Sequence, residues 1–327
     1  MARRRLVWKD PGMDALRIGI VWNPSKTSKE ELESGLTDAA ASAGAEPRVT
    51  WWETTPDDAG QGAAASALAD GADVIVAAGG DGTVRAVAEH LAHEEADAEL
   101  GIVPLGTGNL LARNLGVPLD DLPAAFGRVL AGTARPVDVG WAEVDLDGGT
   151  ERHAFAVLAG FGIDAHMIAE TDDDLKDKAG WLAYVESLGR AFTASEVIDL
   201  RLAVDDGEPA DARAHTVLVG NCGTLQAGVT LLPDADPSDG ELDLLVLSAD
   251  GAVQWLDTIR NLVWDNGIRR LLTGTNGTES SDSAAHGRVR RLRVELGEPR
   301  VFEIDGEDLG ETQRVTITVQ PGAVRIR

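Results

Sequence analysis

The stretch ADVIVAAGGDGTVRAVAEHL, residues 72–91, joins a continuous apolar run to a helical pattern through a turn of three glycines and an aspartate. A continuous apolar run of this length is typical of a strand that is buried on both faces of a parallel sheet. The spacing of apolar residues over 83–93 predicts a helix. A buried strand that passes through a glycine-rich turn into a helix is the unit of α/β sheets, so the stretch predicts an α/β fold.

The same alternation of strand and helix surrounds this stretch. Strands are predicted at 16–24, 48–55, 72–80 and 100–106, and helices at 28–44, 57–71 and 83–93. Because the elements alternate at short spacing, they predict an N-terminal α/β domain with a parallel sheet, residues 1–135.

The pattern changes after about Thr133, where short strand-like runs separated by turn signals begin. Examples are HAFAVLAGFG at 153–162, ELDLLVLS at 241–248 and RVFEIDGE at 300–307. The pattern fits a β-sandwich or an open barrel, and we predict a mainly antiparallel β-sandwich domain at 136–327. Helical segments interrupt it at about 164–193 and at 251–272, and its C-terminal tail can return to the first domain.

The composition limits the partners and the compartment. A formal net charge of −26 argues against non-specific nucleic-acid binding and against broad attraction to an anionic membrane. No run approaches the roughly 18 apolar residues of a membrane-spanning helix, and the basic N-terminus lacks an apolar signal region. The single cysteine, Cys222, cannot form an internal disulfide. We therefore expect a cytoplasmic protein.

The turn at 79–82, here called the first glycine turn, carries one carboxylate. Helix N-termini bind phosphate through free N–H groups, and glycines let the backbone approach a phosphate closely. A carboxylate repels phosphate, so Asp81 indicates a magnesium ligand or an acceptor for the proton of an attacking hydroxyl. The alternative interpretation is an aspartate that caps a helix.

Two further turns follow predicted strands, WNPSKTS at 22–28 and PLGTGNLLARNLG at 104–116. In an open parallel sheet such turns gather at the carboxyl ends of the strands, where ligands bind. Three converging turns predict a nucleotide site, in which Thr107 and Asn109 can reach phosphate or ribose oxygens. The spacing matches neither the Walker pattern nor the dinucleotide fingerprint.

Six motifs occur in the order that is found in diacylglycerol kinase-like lipid kinases, which include bacterial diacylglycerol kinases, sphingosine kinases and ceramide kinases. They are GGDGT (79–83), PLGTGNLLAR (104–113), GFGIDA (160–165), GN (220–221), SDGELD (238–243) and DGE (305–307). The chain resembles this family from about residue 16 to its end. NAD kinases share GGDGT, so a NAD kinase-like enzyme is the alternative, although the second motif argues against it. A non-catalytic lipid-binding protein that retains the fold is the alternative from another class.

The resemblance implies ATP as phosphoryl donor, Mg²⁺ as cofactor and a hydroxyl of diacylglycerol or a related lipid or long-chain base as acceptor. It implies Asp81 and Glu307 as the catalytic pair. The implied nucleotide-binding residues are Asn23, Thr54 or Thr55 (with Thr50 as a further alternative), Gly79, Gly80, Asp81, Gly82, Thr83, Val84, Arg85, Thr107 and Asn109.

The resemblance also assigns residues beyond the nucleotide domain. Asp164 is expected to hold the polar head group of the acceptor, with a helix N-cap as the alternative. The Asp239 side chain and the carbonyls of Asp236 and Glu241 are expected to hold a structural magnesium, with an acidic turn without metal as the alternative.

The chain departs from the family pattern at Arg85 and Ala86, where an Asn-Glu pair is usual, so Arg85 either contacts phosphate or is a solvated helix residue. Peripheral contact with the inner face of a membrane is expected through basic residues near the N-terminus or at the end of the 251–272 helix. The apolar face of that helix predicts packing in the core or in a dimer interface, so a homodimer is one alternative.

Overall fold

A computed structural model describes residues 15–162, 197–225, 230–248 and 284–327 of the chain. Asp164 and the helical segments predicted at 164–193 and 251–272 lie outside the described residues, as do the basic residues near the N-terminus.

The N-terminal half alternates strands and helices as predicted. Its elements are β1 Arg17–Trp22, α1 Lys29–Ala43, β2 Arg48–Glu53, α2 Gln61–Ala69, β3 Val74–Gly79, α3 Asp81–His93, β4 Glu99–Pro104, α4 Leu110–Asn114 and α5 Leu122–Ala131. The four strands are parallel and lie in the order β2-β1-β3-β4. Every residue of β3 is buried, which confirms that its apolar run is a central strand covered on both faces.

Helices cover the two faces of this sheet because successive side chains of a strand point to opposite sides. Ile18 and Ile20 of β1 pack in a buried cluster with residues of α1 and α5. Val21 packs on the other face, in the cluster that contains residues of α2 and α3.

Helix α1 has the bounds that its capping residues predict. The Ser28 side chain accepts the N–H of Glu31, and Gly44 ends the helix in the left-handed region with φ of 62°. Helix α2 instead begins at Gln61, so the prediction of a helix from residue 57 was wrong. The reason is Asp58, whose carboxylate accepts N–H groups at the start of the helix, including those of Gly62 and Ala63.

Helix α5 was missed by the sequence analysis. Asp121 caps it by accepting the N–H of Ala124, and a proline stands in its first turn. Its Phe126 is fully buried. A Cβ added at Gly35 of α1 would lie 2.9 Å from the Leu122 Cβ, so the glycine allows the two helices to approach closely.

The C-terminal half consists of strands in its described part. They are β5 Arg135–Leu146, β6 Gly149–Phe155, β7 Leu158–Phe161, β8 Ile198–Val204, β9 Ala210–Gly220, β10 Leu242–Ser248, β11 Ala284–Val289, β12 Arg291–Ile304 and β13 Glu307–Ile326. Their pairings with one another are antiparallel, in agreement with the prediction. The predicted run at 153–162 is divided into β6 and β7 by a break at residues 156 and 157.

Strand β13 joins the two halves into one 13-stranded sheet. It pairs antiparallel with β12 and β5, and its last residues pair parallel with β4 through Arg325 and Ile326. The Arg327 guanidinium then donates to the Glu99 carboxylate at 2.5 Å. Within the part of the chain that the structure describes, no helix is both long enough and apolar enough to cross a membrane.

Candidate active site

The candidate site lies where the strand order reverses. Strand β1 has β2 on one side and β3 on the other, so the loops that follow β1 and β3 leave the sheet in opposite directions and open a crevice. The N–H of Asn23, directly after β1, donates to the Ala78 carbonyl of β3 at 3.0 Å. The Asn23 side-chain oxygen accepts the N–H and the hydroxyl of Ser25, which shapes the turn.

The first glycine turn leads from β3 into α3 at this point. A Cβ at Gly79 would lie 2.6 Å from the Thr83 side chain, so the glycine is required for the tight turn. Gly80 is the N-cap of α3 and contributes no side-chain acceptor to the first turn. Thr83 and Val84 are buried, and the Val84 N–H already donates to the Gly80 carbonyl at 3.1 Å, which leaves the backbone N–H of Thr83 to contact an anion.

The fold itself does not require a glycine at position 82. A Cβ added there meets no atom within 4 Å, and its φ is not positive. Glycine in a helix costs roughly 0.5–1 kcal/mol relative to alanine. The missing side chain therefore leaves open space at the start of α3, directly beside the crevice.

The second glycine turn, residues 106–108, packs against the first. A Cβ at Gly106 would lie 2.7 Å from the Gly80 Cα, so the two backbones touch. The Asp81 carboxylate accepts the N–H of Asn109 at 2.8 Å and that of Leu110 at 2.5 Å. Asp81 thus caps α4, a helix other than its own, and fastens the second turn to the first.

Asn109 organises the second turn from within. It adopts a left-handed φ of 49°, which asparagine tolerates. Its side-chain oxygen accepts the Gly106 N–H at 2.9 Å, and its side-chain nitrogen donates to the Gly106 carbonyl at 2.7 Å. Thr107 lies on the turn that this amide closes. Contact of either residue with a nucleotide stays a prediction.

The three candidate threonines occupy different positions. Thr50 lies inside β2, and its hydroxyl accepts the Trp52 indole N–H. Thr54 follows the carboxyl end of β2 and donates its N–H to the carbonyl of Trp22, the last residue of β1. Thr55 comes next, so Thr54 and Thr55 share the edge of the sheet with the glycine turns and Thr50 does not.

Glu307, from the other half of the chain, reaches α3, the helix that follows the first glycine turn. Its carboxylate forms an ion pair with the guanidinium of Arg85, which lies one helical turn after Asp81 on α3. Arg85 also donates to the Ile304 carbonyl at 3.3 Å. The side chain of Arg85 is 14% exposed and that of Glu307 is 57% exposed, so the carboxylate faces solvent while its partner is largely covered.

The DGE motif forms the hairpin that carries Glu307. Asp305 and Gly306 have φ of 48° and 84°, as in the two-residue turn that Asp-Gly favours, and Ile304 pairs with Glu307 across it. The partly buried Asp305 carboxylate accepts three successive backbone N–H groups, those of Ala156, Val157 and Leu158, at 2.8, 2.9 and 2.9 Å. Burial raises the pKa of Asp305, while the three N–H groups and the charge of Arg85 oppose that shift.

The acidic loop at 236–241 is held by its own polar groups and by arginine. Asp236 accepts the N–H and hydroxyl of Ser238, and Asp239 accepts the N–H of Glu241. The other Asp239 oxygen lies 3.4 Å from the Arg288 guanidinium. Burial raises the pKa of Asp239, against the effects of the Glu241 N–H and Arg288. In the described ranges, no three His, Cys, Asp or Glu side chains form a group suited to a metal.

The sequence analysis missed Asp138, which anchors this loop. Its carboxylate is buried and accepts the N–H of Gly240 at 2.7 Å and that of Gly322 at 2.6 Å. Asn221 donates from its side chain to the Asp138 and Ala156 carbonyls. The next residue, Cys222, is fully buried, and burial raises the pKa of its thiol.

Comparison with known proteins finds two matching domain families in the chain. The sequence matches the diacylglycerol kinase catalytic domain over residues 17–142 and the YegS C-terminal NAD kinase beta sandwich-like domain over residues 157–327. A probable lipid kinase YegS-like from Pseudomonas aeruginosa (strain UCBPP-PA14) is 34% identical over 316 residues, which cover 96% of this chain and 95% of that protein. One from Stenotrophomonas maltophilia (strain K279a) is 34% identical, covering 86% and 85%.

A solved structure shares the fold. The crystal structure of a diacylglycerol kinase from Bacillus anthracis str. Sterne matches with a TM-score of 0.63 at 23% identity, covering 96% of this chain and 97% of that one.

Proposed function

Because the chain belongs to the diacylglycerol kinase-like family of lipid kinases, we propose that it transfers the γ-phosphoryl group of ATP to a lipid hydroxyl. The acceptor we propose is diacylglycerol or a related lipid or long-chain base. One observation carries the proposal: two touching glycine turns, joined by Asp81, lie at the reversal of the strand order, and an ion pair brings Glu307 to the same helix.

The phosphates of ATP would bind at the N-terminus of α3. Gly80 leaves the first N–H groups of the helix without a side-chain acceptor, and Gly82 leaves open space next to them. Both features favour an anion, because free N–H groups and the helix dipole attract negative charge. Asn23, Thr54 and Thr55 lie at the same edge of the sheet and would contact the rest of the nucleotide.

Glu307 is the residue best suited to take the proton of the acceptor hydroxyl. Its carboxylate is more than half exposed and is not tied to backbone N–H groups, unlike that of Asp81. As the proton moves to Glu307, the hydroxyl oxygen bonds to the γ-phosphorus and the bond to the β–γ bridging oxygen breaks, which releases ADP. Asp81 would orient the reacting groups through the two turns that it joins.

Magnesium would enter with ATP and neutralise charge on the phosphates. Asp81 fits this ion in chemistry, since carboxylate oxygens are hard ligands and each oxygen keeps a lone pair beyond its N–H bond. Asp236, Asp239 and Glu241 remain our proposal for a separate structural magnesium. Arg288 would then have to share or release Asp239.

We also propose that residues 1–135 form the domain that binds the nucleotide and that residues 136–327 form the domain that binds the lipid. Asp164 would hold the head group of the lipid. The enzyme would act at the inner face of the membrane as a peripheral protein of the cytoplasm.

A turnover screen tests the proposal against both alternatives. The purified protein is incubated with Mg-ATP and a panel of lipids that contains diacylglycerol, monoacylglycerol, ceramide and sphingosine, with NAD in a separate reaction. Phosphorylation of a lipid supports the proposal, and phosphorylation of NAD would favour a NAD kinase-like enzyme. ATP and lipid binding without any product would favour the non-catalytic alternative.

A further inference from the structure

Glu307 is held at two points that lie on different elements. Its backbone begins β13 directly after the turn of Asp305 and Gly306, and its side chain pairs with Arg85 of α3. A side chain at a strand end with more than half its surface exposed would otherwise sample several rotamers. The two contacts together restrict both the position of its backbone and the direction of its carboxylate.

Asp305 provides the backbone contact. Its carboxylate accepts the N–H groups of residues 156–158, and its own N–H donates to the Leu158 carbonyl at 2.8 Å. A carboxylate whose oxygens already accept three N–H groups has little capacity left for a substrate. Asp305 therefore ties the hairpin to the β6–β7 junction and does not meet the reacting groups.

Arg85 provides the side-chain contact. Its guanidinium bonds both the Ile304 carbonyl and the Glu307 carboxylate, so one planar group spans both strands of the hairpin. Arg85 is largely covered, and partly covered ion pairs are weakened less by solvent than exposed ones. This arginine links the helix of the first glycine turn directly to the hairpin of the other half.

We propose that Asp305 and Arg85 are positioning residues for Glu307, with Asp305 fixing the backbone of the hairpin and Arg85 aiming the carboxylate. The proposal deepens the function proposed above and rests on it for its effect on turnover. The contacts of Asp305 and Arg85 with the hairpin can be tested independently of that function, because labelling and unfolding measurements need no substrate.

Cys222 is a probe for the Asp305 contact. It is the only cysteine, it is buried, and its N–H donates to the Val157 carbonyl, within the segment that Asp305 holds. In native buffer we expect Asp305→Asn to raise the rate of Cys222 labelling by Ellman's reagent at least about tenfold, because opening of that segment limits access.

Asp205→Asn is the matched control. Asp205 also has a left-handed φ, of 51°, and its carboxylate accepts two successive N–H groups, those of Arg290 and Arg291. It does not touch the segment 156–158, so its substitution should leave the labelling rate within about twofold. Equal labelling of Asp305→Asn and the wild type would overturn the role of Asp305.

The contact of Arg85 with Glu307 is tested first by stability. Arg85→Gln, Glu307→Gln and the double variant form a cycle in which we measure free energies of unfolding in urea. A coupled pair gives a double variant that is less destabilised than the sum of the two single variants. Strictly additive changes would overturn the contact, and this holds whether or not the protein phosphorylates any lipid.

The same cycle is then measured in turnover. Arg85→Gln should lower kcat at least about tenfold with the ATP KM unchanged, since misplacement of a reacting group lowers the rate of the chemical step. In the Glu307→Gln background it should have no further effect. Arg85→Lys, which keeps the charge, should restore part of kcat.

Arg327→Gln is the control for a general weakening of contacts between the two halves. Arg327 is about as little exposed as Arg85, and it also joins the two halves through its ion pair with Glu99. It should lower stability without lowering kcat. A loss of kcat for Arg85→Gln that persists in the Glu307→Gln background, or a rise in the ATP KM alone, would overturn the positioning role and indicate direct contact of Arg85 with phosphate. If Asp305→Asn does not fold, the Arg85 cycle tests the proposal by itself.

Discussion

The Oδ2 atom of Asp81 accepts the backbone N–H of Asn109 at 2.8 Å, although the two residues stand 28 positions apart in the chain. The contact joins the two glycine turns that follow β3 and β4. A carboxylate in a turn with almost no side chains is thereby explained structurally: it caps the helix of the neighbouring turn. This function is compatible with a part in the reaction, because the same bonds fix Asp81 at the crevice.

Asp81→Asn should lower both stability and turnover. Asparagine offers one acceptor oxygen in place of two, so the N–H of Asn109 or of Leu110 loses its partner, at a cost of about 1–3 kcal/mol. We expect the free energy of unfolding to fall by that amount and kcat by several orders of magnitude. Asp121→Asn is the control, because asparagine caps a helix about as well as aspartate. Wild-type turnover in Asp81→Asn would remove Asp81 from the mechanism.

Gly82→Ala should weaken ATP binding without destabilising the fold. The added Cβ meets no atom within 4 Å, so the variant should fold and gain up to about 1 kcal/mol of stability. If phosphate approaches this position closely, the KM for ATP should rise at least about tenfold. Gly127→Ala is the matched control, since its site in α5 is equally open and distant from the crevice along the chain. An unchanged ATP KM for Gly82→Ala would argue against phosphate at this turn.

The contribution of Asp305 to the free energy of unfolding should decrease as the pH rises. Burial raises its pKa in the folded protein above that in the unfolded chain. A group of this kind contributes stability that is fully present below the unfolded pKa, about 4, and is lost as the pH rises through the folded pKa. The difference in unfolding free energy between the wild type and Asp305→Asn should therefore shrink from about pH 4 toward neutral pH. Urea titrations at several pH values measure it, and a difference that grows with pH would contradict the assignment.

Magnesium without nucleotide should raise the melting temperature if the loop 236–241 holds the ion. Any ligand that binds only the folded state stabilises it, and the loop oxygens are far along the chain from the glycine turns. Asp239→Ala should abolish the shift, whereas Asp81→Asn should keep it. Sodium chloride at matched ionic strength is the control for a general effect of salt on a protein of net charge −26. Equal stabilisation by both salts would mean that the loop is an acidic turn without metal.

The sequence predicted those features that depend on neighbouring residues. The apolar run of β3 and the bounds of α1 are local signals, whereas the run predicted at 300–307 in fact turns at Asp305 and Gly306. The resemblance to diacylglycerol kinase-like enzymes, carried by motifs, is confirmed by the matched domains and relatives.

The features that the sequence did not predict depend on distant partners. Asp138 and Asp305 accept N–H groups that lie roughly a hundred or more positions away, and backbone donors leave no pattern in the sequence. Helix α5 was missed although its Asp-x-Pro start was a usable signal. The break between β6 and β7 was missed because its backbone N–H groups are bound by Asp305, which lies far along the chain in the turn between β12 and β13.

The measurement that tests the account most directly is transfer of ³²P from γ-labelled ATP to lipid in mixed micelles, compared between the wild type and Glu307→Gln. Glu307 lies more than 200 positions from Asp81, and the Arg85 ion pair brings it to the same helix. We predict labelled phospholipid with the wild type and a loss of several orders of magnitude in kcat with Glu307→Gln, at an unchanged ATP KM. Equal transfer by the two proteins, or no lipid labelling by the wild type with any acceptor of the panel, would contradict the account.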